Sequence, residues 1–408
     1  MTRQLNNKWK EFLFAFSGFG PNFLMVLMGA YFTDAVNPAA LGADSFQSIS
    51  NVCFIMPALF PILFAIAKCF DGIIDVPFAH LTDTLSTKWG RRRPAIAVCF
   101  VPMVVSFAMC WLPIGGADGQ LLNTIWIFVW ALVFFSTYTM SLISFYGSFS
   151  TTCCDEPQRL RVSGYKSFFD TISYCLVYAL VPLILNGLQL HIDKFVFYCL
   201  PLMGTMLIPL FLIKEGQKYG YPELKGLSEE KYTLTQSIKA TVKNKVFMRW
   251  LAVNCCTFFG LQMFLVAMNA MILGGMNMNG AEMALLNTCA FAPVPMMLWL
   301  FNKVKAKKGI RLTYQSCLIA FAISIMGFFA ASTFVVGYEN KMLQYIIGCT
   351  CGVTGSWAIG AFFMMPYLVT AQISSVEEKL TKKNHSAMYF AGNAVATSII
   401  GAISSALV

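Results

Sequence analysis

The chain has 408 residues, of which 57% are hydrophobic and only 12% are charged, and its formal net charge is +10. A water-soluble domain cannot bury so large an apolar fraction, so the composition excludes a soluble protein and indicates a polytopic membrane protein. The basic excess lies in loops, where it suits anionic lipid headgroups, and we expect no nucleic-acid partner.

Eleven apolar stretches are long enough to cross a bilayer as a helix, which takes roughly 20 residues. In chain order they cover residues 12–32, 50–80, 94–113, 121–150, 163–186, 194–213, 246–273, 281–301, 311–333, 342–371 and 386–408. The first stretch lacks a clear small-residue cleavage pattern, so we interpret it as a span and not as a signal peptide. The sequence therefore predicts an all-α protein with eleven visible spans.

Basic residues alternate from loop to loop. The N-terminus and the even-numbered loops hold 26 of the 29 Lys and Arg residues, whereas the odd-numbered loops hold only Lys194 and Lys341. The positive-inside rule assigns the basic loops to the cytoplasm. We therefore expect a multi-pass membrane protein with a cytoplasmic N-terminus, and the short loops suit a bacterial inner membrane.

A long polar segment, 214–246, separates six predicted spans from five. The loops after the second and eighth spans, "LTDTLSTKWGRR" from Leu81 and "LFNKVKAKKGIR" from Leu300, share leucine, lysine, glycine and arginine at a constant offset of 219 residues. Parallel repeats of this kind are typical of transporters built from two six-helix bundles. The predicted units are an N-terminal bundle (1–213), a cytoplasmic central loop (214–246) and a C-terminal bundle (247–408). The repeat also predicts a twelfth span, absent from this chain, and hence a longer natural protein.

The second span carries three charges, because "AKCFDGIIDVPF" contains Lys68, Asp71 and Asp75. A charge at the bilayer centre costs roughly 2.5–3.5 kcal/mol on insertion scales, so these residues must face a cavity or the bundle interior. Their spacing puts them on one helical face, where two close carboxylates favour a captured cation or a bound proton. We predict a cation-coupling site for Na⁺ or H⁺ at Asp71 and Asp75, which would be the metal ligands for Na⁺, with Lys68 tuning the site. The alternative is a structural salt bridge between Lys68 and Asp71.

The stretch "KCFDGIIDVPFAHLTDTLSTKWGRRRPAI", residues 68–96, resembles the second span and following loop of the glycoside–pentoside–hexuronide:cation symporters, the melibiose permease group of the major facilitator superfamily. The matching residues are Lys68, Asp71, Asp75, Asp83, Gly90, Arg91, Arg92, Arg93 and Pro94. "PQRLRVSGYKSFF" resembles the family's loop into the fifth span, with Lys166 at a usual arginine position. The resemblance implies the major facilitator fold and cation-driven sugar transport. The sequence departs from the family at Gly18 and Ile143, where aspartates that serve the sugar are usual, and at Thr397, where a lysine links the two sites.

The loop after the second span sets one carboxylate among basic residues. The predicted group is Asp83, Gly90, Arg91, Arg92 and Arg93. The resemblance implies a cytoplasmic gate, in which such pairs break when the transporter opens. Anchoring to anionic headgroups is the alternative.

Polar or aromatic side chains in other spans are candidates for substrate binding. They are Lys166, Asp170, Asn254, Gln262, Trp357 and Thr397. Lys166 and Asp170 lie four residues apart and can pair, while amides and an aromatic ring suit sugar hydroxyls and the sugar's C–H face. The alternatives are an interfacial ion pair, hydrogen bonds between helices and plain packing.

These observations favour a secondary active transporter that carries a sugar or glycoside with Na⁺ or H⁺ by alternating access. We expect a monomer in the lipid bilayer, with a small-molecule substrate and no cofactor besides the coupling ion. An uncoupled facilitator, or a carrier of an amphiphile such as a lysolipid, is the alternative. An enzyme or a sensor is disfavoured, because no HExxH, GxSxG or suitably spaced His/Cys cluster occurs in the sequence.

Overall fold

The computed structural model describes residues 5, 7–37, 48–49, 52–84, 87–90, 92–116, 118–153, 156–214, 239, 241–337, 340–381 and 386–407. These residues form helices and no β-strand, which confirms the all-α class. The helices of the first half, the N-half, are α1 Lys8–Phe16, α2 Phe19–Val36, α3 Phe60–Thr84, α4 Arg93–Cys110, α5 Gln120–Thr152, α6 Glu156–Cys175, α7 Val181–Leu188, α8 Ile192–Cys199 and α9 Ile208–Leu212. Those of the second half, the C-half, are α10 Lys245–Ala270, α11 Gly280–Phe291, α12 Val294–Lys308, α13 Ile310–Ala330, α14 Thr333–Val336, α15 Lys341–Thr381 and α16 Ser386–Leu407.

Eight helical stretches among these residues are long and apolar enough to cross a membrane, which makes the protein a multi-pass membrane protein. The count of eleven spans is matched only in part. The other three predicted spans form α3, α10 and α16, which have 25, 26 and 22 residues and fall outside the eight. In α3 the three charges at Lys68, Asp71 and Asp75 interrupt the apolar run.

Some spans contain a local change of helix geometry. A π-helical turn, Leu176–Leu180, joins α6 to α7, and a 3₁₀ turn, Leu200–Leu207, joins α8 to α9. Pro182 follows the π turn at the start of α7, where its missing N–H costs little. Such irregular turns free main-chain carbonyls, which other helices must satisfy inside a membrane.

Two glycines make the sharp turns between consecutive spans. Gly90 ends the turn between α3 and α4 with φ +110°, and Gly309 joins α12 to α13 with φ +80°. Positive φ favours glycine because other residues have a Cβ that clashes there. The two positions are related by the 219-residue offset, so the repeat in the sequence coincides with the same backbone geometry in both halves.

The helices pack around one continuous hydrophobic core. In the N-half α5 packs against α3 and α4, and in the C-half α15 packs against α11 and α13. The halves meet along two lines, where α3 packs on α16 and where the π turn and α7 pack on α11. At the first line the α3 and α16 backbones approach closely, since a Cβ built on Gly72 would lie 2.6 Å from Ser398 Cβ.

Candidate functional site

The α3 carboxylates lie inside the helix assembly. Asp75 is only 6% exposed, and Asp71, one helical turn earlier, accepts a hydrogen bond from the Thr139 hydroxyl of α5. The two carboxyl groups lie four residues apart on one face of α3, where two negative charges repel each other. No three His, Cys, Asp or Glu side chains cluster to hold a metal in the part of the chain that the structure describes. A bound cation would therefore draw its further oxygens from hydroxyl groups such as that of Thr139, or from main-chain carbonyls.

Lys68 stands beside this pair without a direct ion pair. Lys68 lies three residues before Asp71 in α3, and its ammonium is 5.2 Å from the centroid of the Phe64 ring, a cation–π contact. Among the described residues, no salt bridge joins Lys68 to a carboxylate. Lys68 thus adds a positive charge to the site.

A second polar cluster joins three helices of the N-half. Lys166 and Asp170 of α6 form a buried ion pair, and the Asn22 amide of α2 donates to the same Asp170 oxygen at 2.7 Å. Tyr138 of α5 donates to the Asn22 carbonyl oxygen at 2.8 Å, and the Lys166 ammonium lies 5.3 Å from the Tyr146 ring centroid. Each polar group found here has a partner, as burial in an apolar medium requires.

Gly18 lets the Lys166 side chain approach the α1–α2 backbone closely. A Cβ built on Gly18 would lie 2.9 Å from Lys166 Cε and 3.6 Å from its Nζ. An aspartate at this position, as the resemblance would lead one to expect, would therefore require the Lys166 side chain to move. In this chain the carboxylate partner of Lys166 is Asp170, four residues along the same helix.

Adjacent residues of α5 connect the two clusters. Thr139 donates to Asp71 in α3, and Tyr138 donates to Asn22 in α2. Successive residues of an α-helix point about 100° apart, so α5 contacts both neighbours at one level. Helix α5 thus forms hydrogen bonds to the α3 carboxylates and to the α2–α6 cluster through two adjacent side chains.

Three candidates of the C-half, Asn254, Trp357 and Thr397, donate hydrogen bonds within their own half. Asn254 is buried and donates to Asn393 of α16 at 2.9 Å, and Trp357 donates to Ser316 of α13 at 3.3 Å. Thr397 donates to two carbonyls of its own helix. Gln262 is half-buried in α10. Their roles in substrate binding stay predictions.

The predicted gate is described in part. Arg91 and the side chain of Asp83 lie outside the described residues. The turn is closed by Thr87, whose hydroxyl donates to the Gly90 carbonyl at 2.6 Å. Arg92 is buried against α5, because a Cβ built on Gly147 would lie 2.5 Å from the Arg92 guanidinium. Arg93, partly buried, begins α4.

The sequence reading missed Thr139 and Asn22. One signal was present, since Ser136, Thr137, Tyr138, Thr139 and Ser141 put five hydroxyl groups into an apolar span. The structure shows that these hydroxyl groups fall into two sets. Those of Ser136, Thr137 and Ser141 donate to carbonyls of their own helix. Tyr138 and Thr139 alone among these five reach other helices.

Comparison with solved structures shows the same fold in other transporters. A point mutant of the nucleoside transporter NupG is 13% identical and has a TM-score of 0.61 over 98% of this chain and 90% of its own. A D-xylose–proton symporter is also 13% identical, with a TM-score of 0.59 over 98% of this chain and 88% of its own. At this identity the likeness concerns the fold, and it confirms the predicted major facilitator architecture.

Two curated relatives match over shorter segments. A glucuronide carrier protein homolog of Escherichia coli strain K12 is 24% identical over 125 residues, which are 30% of this chain and 27% of the relative. An uncharacterized symporter of Synechocystis sp. strain PCC 6803 is 26% identical over 144 residues, 34% of this chain and 26% of the relative. The matches thus span about a quarter of each relative's length.

A family model described as "MFS/sugar transport protein" matches residues 13–408, nearly the whole chain. This agrees with the resemblance of the second span to the glycoside–pentoside–hexuronide:cation symporters, and with the prediction that the chain is not an enzyme. The chain belongs to the MFS/sugar transport protein family.

Proposed function

We propose that the protein is a secondary active transporter that moves a sugar or glycoside together with Na⁺ or H⁺ by alternating access. The observation that carries this proposal is the Asp71–Asp75 pair in α3, in which Asp75 is buried and the Thr139 hydroxyl is directed at Asp71. Two carboxylates inside a membrane are costly unless a cation or a proton compensates their charge. Binding of that ion is therefore strongly favoured at this position.

We assign substrate binding to the Lys166–Asp170 ion pair together with the Asn22 amide and the Tyr138 phenol. A buried ammonium, carboxylate, amide and phenol offer both donors and acceptors to sugar hydroxyls. The similar glucuronide carrier homolog and the similarity to a D-xylose–proton symporter favour sugars or their acids as the substrate class. Because Asp170 neutralises Lys166 here, a substrate carboxylate would have to compete with Asp170 for the ammonium.

Helix α5 is the proposed link between ion and substrate. When a cation binds at Asp71, the Thr139 hydrogen bond changes, and Tyr138, the preceding residue, moves with the same helix. The Asn22 amide and Asp170 then adjust at the substrate side. This gives reciprocal coupling, in which each ligand raises the affinity for the other by the same factor.

We further propose a monomer in a bacterial inner membrane with its N-terminus in the cytoplasm, and a cytoplasmic gate at Asp83 and Arg91–Arg93. The distribution of Lys and Arg supports this orientation. The burial of Arg92 on α5 suits a group that holds the cytoplasmic end together.

The second candidate is an uncoupled facilitator or a carrier of an amphiphile. Thr397, which occupies the family's lysine position, bonds to its own helix and brings no charge to the α3 carboxylates. Uptake that is insensitive to ionophores would favour this candidate over symport.

The deciding experiment follows thermal unfolding of the purified protein in Na⁺, Li⁺, choline and a pH series, beside the Asp75→Asn variant. A ligand that binds only the folded state raises the midpoint as its concentration rises. We expect a rise with Na⁺, or a pH dependence, that the variant loses. We also expect Asp75→Asn to abolish ion-driven accumulation while leaving part of the exchange. Full accumulation by the variant would refute the coupling role.

A further inference from the structure

One exposed face of α12 has apolar side chains at one end and lysines at the other. Five exposed residues share this face, and we call them the α12 stripe: Met296, Trp299, Leu300, Lys303 and Lys307. At 100° per residue these positions fall within about 100° of the helix surface. Leu298 and Phe301, on the opposite side of α12, are buried. The stripe therefore faces away from the protein core.

An aromatic ring joins the apolar end of the stripe to its basic end. The Lys303 ammonium lies 3.6 Å from the centroid of the Trp299 ring, a cation–π contact. Side chains of a helix lean toward its N-terminus, so Lys303 extends back over the preceding turn. Tryptophan rings are favoured at the boundary between the hydrocarbon and the headgroups of a bilayer. The contact thus holds one ammonium at the depth of the lipid phosphates.

The length of the stripe matches one leaflet of a bilayer. Met296 and Lys307 are eleven residues apart, which is about 16 Å along a helix axis. Half of a hydrocarbon core of about 30 Å is about 15 Å. An acyl chain can therefore cover Met296 and Leu300 while its headgroup reaches the lysines. A free phosphate would meet the lysines alone, and a soluble protein would not reach the apolar end inside the bilayer.

The positive charge of this loop is open to an anionic partner. Residues 283–338 contain no Asp or Glu, and within the described chain neither lysine of the stripe forms a salt bridge. Arg311, just beyond the turn, is also exposed, whereas Arg92, its counterpart at the 219-residue offset, is buried against α5. The exposed cations complement the charge of an anionic headgroup.

The N-half has only one of the two lysines. At the same offset, Lys88 stands at the position of Lys307, but Thr84 stands at the position of Lys303. Lys88 is exposed, as Lys307 is. The repeat thus provides a matched position in the other half that lacks the second cation.

We propose that the α12 stripe binds one anionic phospholipid such as phosphatidylglycerol. The phosphate lies between the Lys303 and Lys307 ammonium groups, and an acyl chain lies along Met296 and Leu300. The site consists of α12 residues alone and includes neither the α3 carboxylates nor the Lys166–Asp170 cluster. Lipid binding here therefore needs neither the coupling ion nor the transported substrate.

The test titrates dioleoyl-phosphatidylglycerol into the detergent-solubilised protein and counts bound lipid by native mass spectrometry. We expect Lys303→Gln and Lys307→Gln each to weaken the affinity for the first bound lipid by about fivefold, the contribution expected of one lysine near an anionic headgroup. Lys88→Gln is the matched control and should keep the wild-type affinity. Phosphatidylcholine should bind more weakly, with an affinity that none of the three substitutions changes.

Two results would overturn the site. The first is a wild-type affinity in both Lys303→Gln and Lys307→Gln. The second is equal weakening by Lys88→Gln, which would mean that basic loops in general attract the lipid. Glycerol phosphate carries the headgroup without acyl chains, and we expect it not to displace the bound lipid. Displacement would identify a site for free phosphate and refute a phospholipid site.

Discussion

At the scale of single residues, Thr139 holds the most informative position. It is buried, and its hydroxyl donates to Asp71 from a different helix. A hydrogen bond to a charged group contributes about 1.5–3 kcal/mol, and a cation ligand in the same place would be lost with it. In the proposed symport, the geometry of this one side chain would bear directly on the affinity for the ion.

We expect Thr139→Val, which keeps the shape and removes the hydroxyl, to weaken the apparent cation affinity by about tenfold. The measurement is the cation concentration that gives half of the thermal shift. Thr137→Val is the control, because the Thr137 hydroxyl bonds only to carbonyls of its own helix. Equal effects of the two substitutions would argue against a role of Thr139 at the ion site.

The hydrogen bond of Tyr138 leads to a separate prediction about the coupling between cation and substrate. Tyr138→Phe removes the donor to Asn22 at 2.8 Å but keeps the ring. We expect the cation still to bind and the substrate affinity to become less dependent on it, since the link through α5 is broken. The measurement is the ratio of the substrate affinities with and without the cation, which is the coupling factor. Tyr314→Phe is the control, because its hydroxyl bonds to Thr257 in the C-half. A coupling factor in Tyr138→Phe equal to that of the wild type would contradict coupling through α5.

At the scale of helices, the contact of α3 with α16 depends on the absence of a side chain. A Cβ on Gly72 would lie 2.6 Å from Ser398 Cβ, whereas a Cβ on Gly29 of α2 would meet nothing within 4 Å. Both glycines lie inside helices, where alanine is intrinsically more favourable. Comparing alanine substitutions at Gly72 and Gly29 therefore distinguishes the effect of helix propensity from the effect of packing between helices.

We expect Gly72→Ala to destabilise the protein by about 1–3 kcal/mol through overpacking, and Gly29→Ala to leave it unchanged or slightly more stable. Thermal unfolding in detergent measures both. A midpoint of Gly72→Ala at or above the wild-type value would mean that α3 and α16 are not in close contact.

Much of the helical fold was predictable because an apolar segment of about 20 residues in a membrane has to satisfy its main chain internally. The glycine turn at Gly309 and its counterpart at Gly90 were likewise visible as a repeat. The π turn at Leu176–Leu180 was not, because its carbonyls are satisfied by partners that are distant in the sequence, such as Tyr31 and Asn287.

The site was only partly predictable for the same reason. The i, i+4 spacing puts Asp71 and Asp75 on one face whatever the fold. The choice of Thr139 over Thr137 depends on the rotation of α5 against α3, which the packing of several helices sets together. The sequence supplied a run of hydroxyl groups without showing which of them leave their own helix.

At the scale of the whole molecule, the distribution of charge makes a prediction about orientation. Lys194 and Lys341 lie at one end by the alternation of spans, and Lys307 and Lys308 lie at the other. This unequal distribution of basic residues between the two ends is expected because loops rich in Lys and Arg stay in the cytoplasm.

We expect an impermeant amine reagent, added to intact cells, to modify Lys194 and Lys341 and to spare Lys307 and Lys308. Permeabilised cells provide the control, because all four side chains should then react. Modification of Lys307 in intact cells would reverse the proposed orientation of the N-terminus.

The adjacency of Tyr138 and Thr139 has a consequence for stoichiometry. One helix presents one hydroxyl to the α3 carboxylates and one phenol to the Asn22–Asp170 cluster. In the proposed symport one α3 carboxylate pair is linked through one helix to one polar cluster, so we expect one ion to accompany one substrate molecule. The steepest substrate gradient would then equal the electrochemical gradient of that one ion. Double-label flux counting should therefore give a ratio of one, and the cell could concentrate the substrate no further than this ratio allows.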